Sequence, residues 1–416
     1  MKSYIESVDF FKGNKPSELL EKFGSPLYVY NEDILRKSMG KVKGVITKYD
    51  FRANFSMKAN SNLTILKIAL EEGLNCDAMS EGEIRLLQKA GFPSDRILFV
   101  PNNVSDDELR YAYENNILTS LDSIDQVRSW GRIAPGSEIA VRLNPGVGAG
   151  HHQKVVTAGK NTKFAITDDQ IDLLLQTAAE FDLKIIEITQ HIGSLFMETT
   201  PYVQAAKNLL AMARRFEGLK VIDFGGGFGI PYHKVSADEK PFDFEKLNRE
   251  LEVVLDEFVN DYGYAPEFKC EPGRCIPCES GVLLGNVYAT KDNAGKKFAG
   301  TDIGMNILVR PSLYDSWHDI EVIRDNKPVY DGDREQVSVV GNICETGDVL
   351  AKERDLPKIL KGDIVCVLDS GAYGYIMASN YNTRLRPAEV MITKDGDVKL
   401  IRKRDTYDYL FEAFNI

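Results

Sequence analysis

Four short stretches of this 416-residue chain put reactive side chains where an apolar run gives way to glycine or polar residues. "SMKAN" (56–60) offers Lys58, and "HIGS" (191–194) offers His191 and Ser194. "DFGGGFGIPY" (223–232) offers a run of glycines that includes Gly227, and "CEPGR" (270–274) offers Glu271, Gly273 and Arg274. A lysine amine can condense with a carbonyl. A carboxylate favours a protonated ring nitrogen beside it, glycines let backbone N–H groups approach a phosphate, and an imidazole can cover a flat ring. Taken singly, each has a plainer reading: a strand-end lysine is ordinarily solvated, glycines make tight turns, and a lone histidine is more often structural.

The elements that position them follow from periodicity. In "RANFSMKAN" Ala53, Phe55 and Met57 alternate with Asn54, Ser56 and Lys58, which predicts a half-buried strand ending at the lysine. Seven further apolar runs, at 74–79, 96–101, 117–121, 138–144, 183–190, 219–225 and 267–271, predict strands. Between them stand helix-start signals of the capping-box type at Ser80, Ser105, Ser123 and Thr167. Amphipathic stretches such as "NLTILKIALEEG" place Leu63, Leu66 and Leu70 on one helical face. Strands alternating with capped helices imply a parallel sheet, and eight of them suggest an α/β (β/α)8 TIM-type barrel over 30–275; a doubly wound sheet is the alternative. In that barrel the four reactive stretches fall at the strand ends of one rim.

After residue 275 the texture changes to β-type runs with turn residues ("GVLLGNVYAT", "EQVSVVGNICETG", "DIVCVLDS"), predicting a separate, mainly antiparallel β domain over 276–416. No low-complexity linker separates the two.

Composition excludes several classes. A net charge of −11 disfavours a nucleic-acid partner. No apolar run is long enough to span a bilayer and the first residues lack an apolar secretory core, so no membrane association and a cytoplasmic location are expected. Six cysteines are too few for a disulfide scaffold in a chain of this length. Cys275 and Cys278 form a C-x-x-C without a second pair at zinc spacing. His151 and His152 in "GHHQK" point differently and make a poor metal pair, so no metal is expected; 148–164 reads as a loop near the active site. The glycine run completes neither a Rossmann fingerprint nor a P-loop.

A lysine, a ring-facing carboxylate, a phosphate cradle and an imidazole together are the parts that pyridoxal 5'-phosphate requires. At this point the chain resembles a known family, the pyridoxal-phosphate decarboxylases of alanine-racemase-like fold. The resemblance is carried by "MKAN" (57–60), "HIGS", "GGGFGIPY" (225–232), "EPGR" (271–274), "MNILVRPSLY" (305–314), "CETGD" (344–348) and "GAYGYIMASNYNTRLRP" (371–387), in order over almost the whole chain. Three positions depart from the family pattern: Thr189 stands where a histidine is usual, Leu195 where a glutamine is usual, and Thr346 where a serine is usual.

The resemblance implies that residues 1–29 join the β domain, that Lys58 carries the cofactor, that Glu271 faces its ring nitrogen and that His191 stacks on the ring. It assigns the phosphate to Ser194, Gly227, Gly273, Arg274 and Tyr373. It makes Cys344 the proton donor, arriving from the other subunit of a homodimer with shared active sites. Charge then selects an amino-acid substrate: Arg310 with Arg274 suits a distal carboxylate, Glu345 a distal ammonium, and Tyr314 and Tyr373 add hydroxyls. Meso-2,6-diaminopimelate has that far end, giving L-lysine and CO2. The alternatives are another decarboxylase of this fold, acting on arginine, ornithine, a D-amino acid or carboxynorspermidine, a racemase, or an inactive cofactor-binding regulatory homologue.

Overall fold

The computed structural model describes residues 3–146, 149–150, 163–237 and 239–414. Most of the segment 148–164, with His151 and His152, lies outside the described residues. The chain divides into two compact units. One comprises Ser38–Ile230 and Pro241–Ile276; the other comprises Met1–Lys37, Pro231–Lys240 and Pro277–Ile416.

The first unit is a closed barrel of parallel strands, in chain order Phe51–Ser56, Asn75–Ala78, Ile97–Phe99, Leu118–Leu121, Glu138–Arg142, Lys184–Thr189, Val221–Asp223 and Glu267–Cys270. All eight strands read from the sequence are present, most of them a few residues shorter. The last strand closes on the first, with Lys269 opposite Arg52 and Cys270 opposite Ala53. The predicted helix starts also form: the hydroxyls of Ser80, Ser105 and Ser123 accept from the backbone N–H three residues on. Ser105 and Glu108 make the full reciprocal box, and each such cap stabilises its helix by about 1 kcal/mol. Thr167 and Gln170 make the same box at the head of a single 3-10 turn before the helix Ile171–Glu180.

In the barrel unit Leu98, Val100 and Ala140 pack with Met79 and Leu118. Polar pairs are buried in the barrel as well: Lys269 pairs with the fully buried Glu187 at 2.9 Å, and Thr189 meets Ser120 hydroxyl to hydroxyl at 2.9 Å. Thr189 is thus part of a small polar crossing inside the barrel, which accounts for a residue of that size there.

The second unit is a ten-stranded sheet. Leu27–Asn31 is buried along its whole length and pairs antiparallel with Gly281–Asn293 and parallel with Ala388–Ile392. A second parallel pair joins Lys296–Thr301 to Arg334–Val340, so the sheet is mainly but not wholly antiparallel. Leu27, Val29, Val282, Leu284, Cys366, Val390 and Ile392 form its core with Phe10, each burial contributing roughly 1.5–3 kcal/mol.

Candidate active site

In the barrel unit, the strand expected to carry Lys58 ends at Ser56, and the lysine sits in the one-turn 3-10 helix Met57–Ala59. The turn exists because Ser56 is tied down twice. Its N–H donates to the Pro272 carbonyl at 3.1 Å, and its hydroxyl donates to Asp77 at 2.9 Å. The chain then turns, with the Asn60 N–H returning to the Met57 carbonyl, and Lys58 is left half-buried. Its positive charge opposes the upward push that burial gives the carboxyls of Asp77 and Glu271.

Glu271 follows the last strand and is buried. Burial, reinforced by the neighbouring carboxyls of Asp223 and Asp77, raises its proton affinity well above the carboxylate range, and the charges of Lys58 and Arg142 oppose this. Among the described residues its Oε1 has no hydrogen-bond partner. Oε2 lies 4.0 Å from His191 Nδ1, beyond hydrogen-bond reach. His191 is held far below its usual range, first by burial and then by the charges of Lys58 and Arg142. It is therefore a neutral imidazole, and its Nδ1 accepts from the Gly226 N–H at 3.4 Å; the two residues are not an ion pair.

The glycine run is dictated by close approach. A Cβ at Gly225 would stand 2.1 Å from the Gln190 carbonyl oxygen, and one at Gly227 would stand 2.2 Å from the Phe196 ring. Gly227 also has φ +112°, in the region that favours glycine. Beside it Arg274, buried, donates from Nη2 to Ser194 Oγ at 3.1 Å. Gly273, between Glu271 and Arg274, accepts at its carbonyl from Ile276. The structure thus gathers Lys58, His191, Ser194, Gly227, Glu271, Gly273 and Arg274 at the strand ends of one barrel rim, as the sequence reading expects. Leu195, which follows Ser194, has φ +65°.

Sequence reasoning missed Arg142, Asp77 and Asp223. Each is buried and lies in a buried barrel strand; a charge in such a strand is the mark it leaves in the sequence. Burial and the nearby Glu187 push Asp223 up to about 8.

In the β unit, Arg310 opens the short helix Arg310–Tyr314 and is 2 % exposed; Tyr314 ends that helix half-buried. Cys344 and Glu345 lie on an exposed loop that Asp348 fastens from beneath, accepting from Ile343 N–H at 2.7 Å and Met305 N–H at 2.5 Å. The Cys344 N–H donates to Asn382 at 2.9 Å, and Glu345 accepts from the Tyr381 hydroxyl at 2.5 Å. Thr346 is exposed in the same loop. Tyr373 has φ +53°. It stands between Gly371, whose Cβ would strike the Pro277 carbonyl at 1.9 Å, and Gly374, whose Cβ would meet the Ser370 carbonyl at 2.4 Å.

Among the described residues no group of side chains could hold a metal ion, and no helix is long and apolar enough to cross a membrane. The C-x-x-C cysteines are both buried, with Cys278 Sγ 3.1 Å from the Asp369 carbonyl.

Residues 33–277 match the family model described as pyridoxal-dependent decarboxylase, pyridoxal binding domain. Over 408 residues the chain is 37% identical to the diaminopimelate decarboxylase of Methanothermobacter thermautotrophicus, covering 96% of this chain and 94% of that one. Among solved structures it is similar to diaminopimelate decarboxylase from M. jannaschii (TM-score 0.88, 30% identity, 97% of this chain and 95% of that one). It is also similar to the Helicobacter pylori diaminopimelate decarboxylase complexed with L-lysine (TM-score 0.87, 29% identity, 95% and 98%).

Proposed function

The chain belongs to the pyridoxal-dependent decarboxylase family, and we propose that within it this protein removes CO2 from meso-2,6-diaminopimelate to leave L-lysine. The observation that carries the reading is Arg310 in the β unit, 2 % exposed and bonded to the neutral His318 and Ser316, a cation suited to a distal carboxylate. Ornithine and lysine, bound with their one carboxylate at the reacting carbon, would offer Arg310 no distal carboxylate.

The residues fit pyridoxal phosphate. The buried Glu271 Oε1 without a partner suits a protonated ring nitrogen, whose positive charge would return the carboxyl to its ionised form. The Arg274–Ser194 pair and the tightly approached glycines suit a phosphate. When bound, pyridoxal phosphate supplies the electron sink that lets a carboxylate depart as CO2.

The protein's own residues do the rest. Lys58 would hold the cofactor through its amine Nζ. His191, neutral and fixed at Nδ1 by Gly226, would cover the cofactor ring without adding charge. Ser194, Gly227, Gly273, Arg274 and Tyr373 would hold the phosphate. Arg310, Arg274 and Tyr373 take the distal carboxylate, Glu345 the distal ammonium, and Tyr314 adds its hydroxyl. Cys344 then delivers a proton from Sγ to the carbon that lost CO2. Its place on an exposed loop supports its serving the site of a second copy, in a homodimer of the cytoplasm.

The test is turnover by the cofactor-loaded protein. Meso-diaminopimelate, L- and D-lysine, ornithine and arginine are supplied separately while CO2 and the amine product are followed. CO2 and L-lysine from diaminopimelate alone are expected. Turnover of a basic amino acid instead would overturn the distal-site reading, and inactivity on every substrate would overturn the activity.

A further inference from the structure

Arg310 is a buried cation whose partners are all neutral. Nη1 lies 2.7 Å from His318 Nε2 and Nη2 donates to Ser316 Oγ at 3.2 Å. The guanidinium carbon sits 4.8 Å from the centre of the Tyr232 ring. Among the described residues no carboxylate pairs with it, although Arg310 is 2 % exposed. Buried guanidinium groups are normally matched by an anion, so this one keeps its charge for something that arrives.

His318, 1 % exposed, has its protonation fixed by its neighbours. Nδ1 lies 2.8 Å from the Leu368 carbonyl oxygen, which can only accept, so Nδ1 carries the hydrogen. Nε2 faces a guanidinium, which can only donate, so Nε2 is bare. The ring is therefore a neutral acceptor wedged between Leu368 and Arg310, with Tyr232 packed edge-on against it at 5.3 Å between centroids. Two of the five guanidinium N–H groups are committed to His318 and Ser316, leaving the others for a ligand. An aspartate or glutamate in place of His318 would orient Arg310 equally well but would cancel its charge.

We propose that His318 is the positioning residue that aims Arg310 at the distal carboxylate of the substrate while leaving its charge unspent, and so sets the preference for ligands bearing that carboxylate. The inference rests on the reading of Arg310 as the distal-carboxylate group.

The test is ligand binding to the cofactor-loaded enzyme. L-lysine keeps the carboxylate that Arg310 would hold and cadaverine lacks it. In His318→Leu the dissociation constant for L-lysine is expected to rise roughly tenfold or more, and the KM for diaminopimelate to rise with it. Cadaverine binding should change less than about twofold, and His318→Gln, which restores a neutral acceptor, should recover most of the loss. Arg310→Gln is the reference. If it leaves the lysine-to-cadaverine ratio unchanged, the reading of Arg310 fails and the inference with it. If Arg310→Gln lowers that ratio while a folded His318→Leu does not, or weakens both ligands alike, Arg310 stands and the role of His318 is overturned. Should His318→Leu not fold, nitrogen NMR of histidine-labelled wild-type holoenzyme decides the matter. A bare Nε2 at His318 that shifts on adding L-lysine but not cadaverine supports the proposal, and an Nε2–H overturns it.

Discussion

Gly226 lies so close to Glu271 that a Cβ on the glycine would stand 1.8 Å from the glutamate's carbonyl oxygen. The two strand ends can approach only because the side chain is absent, and the same glycine's N–H fixes His191.

Gly226→Ala should therefore separate the glycine turn from the Glu271 segment. Overpacking costs about 1–3 kcal/mol where neighbours can yield, and here the neighbour is backbone. A lowered melting temperature together with loss of cofactor loading is expected, read by thermal melting and by the absorbance of bound cofactor. Wild-type values for both would show that the approach is not needed.

Glu271→Gln keeps the shape and removes the charge. The cofactor should still load, because its phosphate and lysine attachments are untouched. Turnover should fall by roughly 10–100-fold, the loss of a charge-assisted bond worth about 1.5–3 kcal/mol. The comparison is kcat per bound cofactor. An unchanged kcat would remove Glu271 from the ring nitrogen.

The barrel was legible because its strands and caps are local signals: the eight apolar runs and the serines at 80, 105 and 123 each act within a few residues of themselves. The end of the first strand was not legible. The alternation of Asn54, Ser56 and Lys58 continues past the point where Pro272 and Asp77 seize Ser56 and start a turn, and those partners are remote in sequence. The parallel pairing of Leu27–Asn31 with Ala388–Ile392 joins segments more than three hundred residues apart and leaves no periodic mark. The rim residues were legible through short motifs. The interior charges Asp77, Arg142 and Asp223 were not, because a charge in a short strand does not show its partners until the barrel closes around it. His318 was hidden for the same reason, since its role exists only through Leu368 and Arg310.

Cys344→Ala tests the proton donor. A positioned general acid contributes about 100- to 10,000-fold, so kcat should fall within that range while cofactor content and melting temperature stay near wild type, the residue being exposed. Cofactor loss with normal turnover per loaded site would give the proton to another group.

Asp223→Asn separates the fold's electrostatics from its chemistry. The Asp223 carboxyl is buried, accepts the Gly225 N–H at 2.8 Å and is held up to about 8 by burial and by Glu187. In the unfolded chain it ionises near 3.9. Because the folded value is the higher one, the folded state keeps a proton that the unfolded chain has already released between those two pH values. Its contribution to stability is fully present below about 3.9 and is lost as pH rises towards 8, by at most about 1.4 kcal/mol per pH unit. Asparagine retains an oxygen for the Gly225 N–H and has no proton to lose. The melting temperature of the variant minus that of wild type, both without cofactor, should therefore grow from pH 5 to pH 8 and level off above it. A difference that stays constant across this window would mean that Asp223 is already ionised inside the barrel, with Lys269 and the Gly225 N–H outweighing burial.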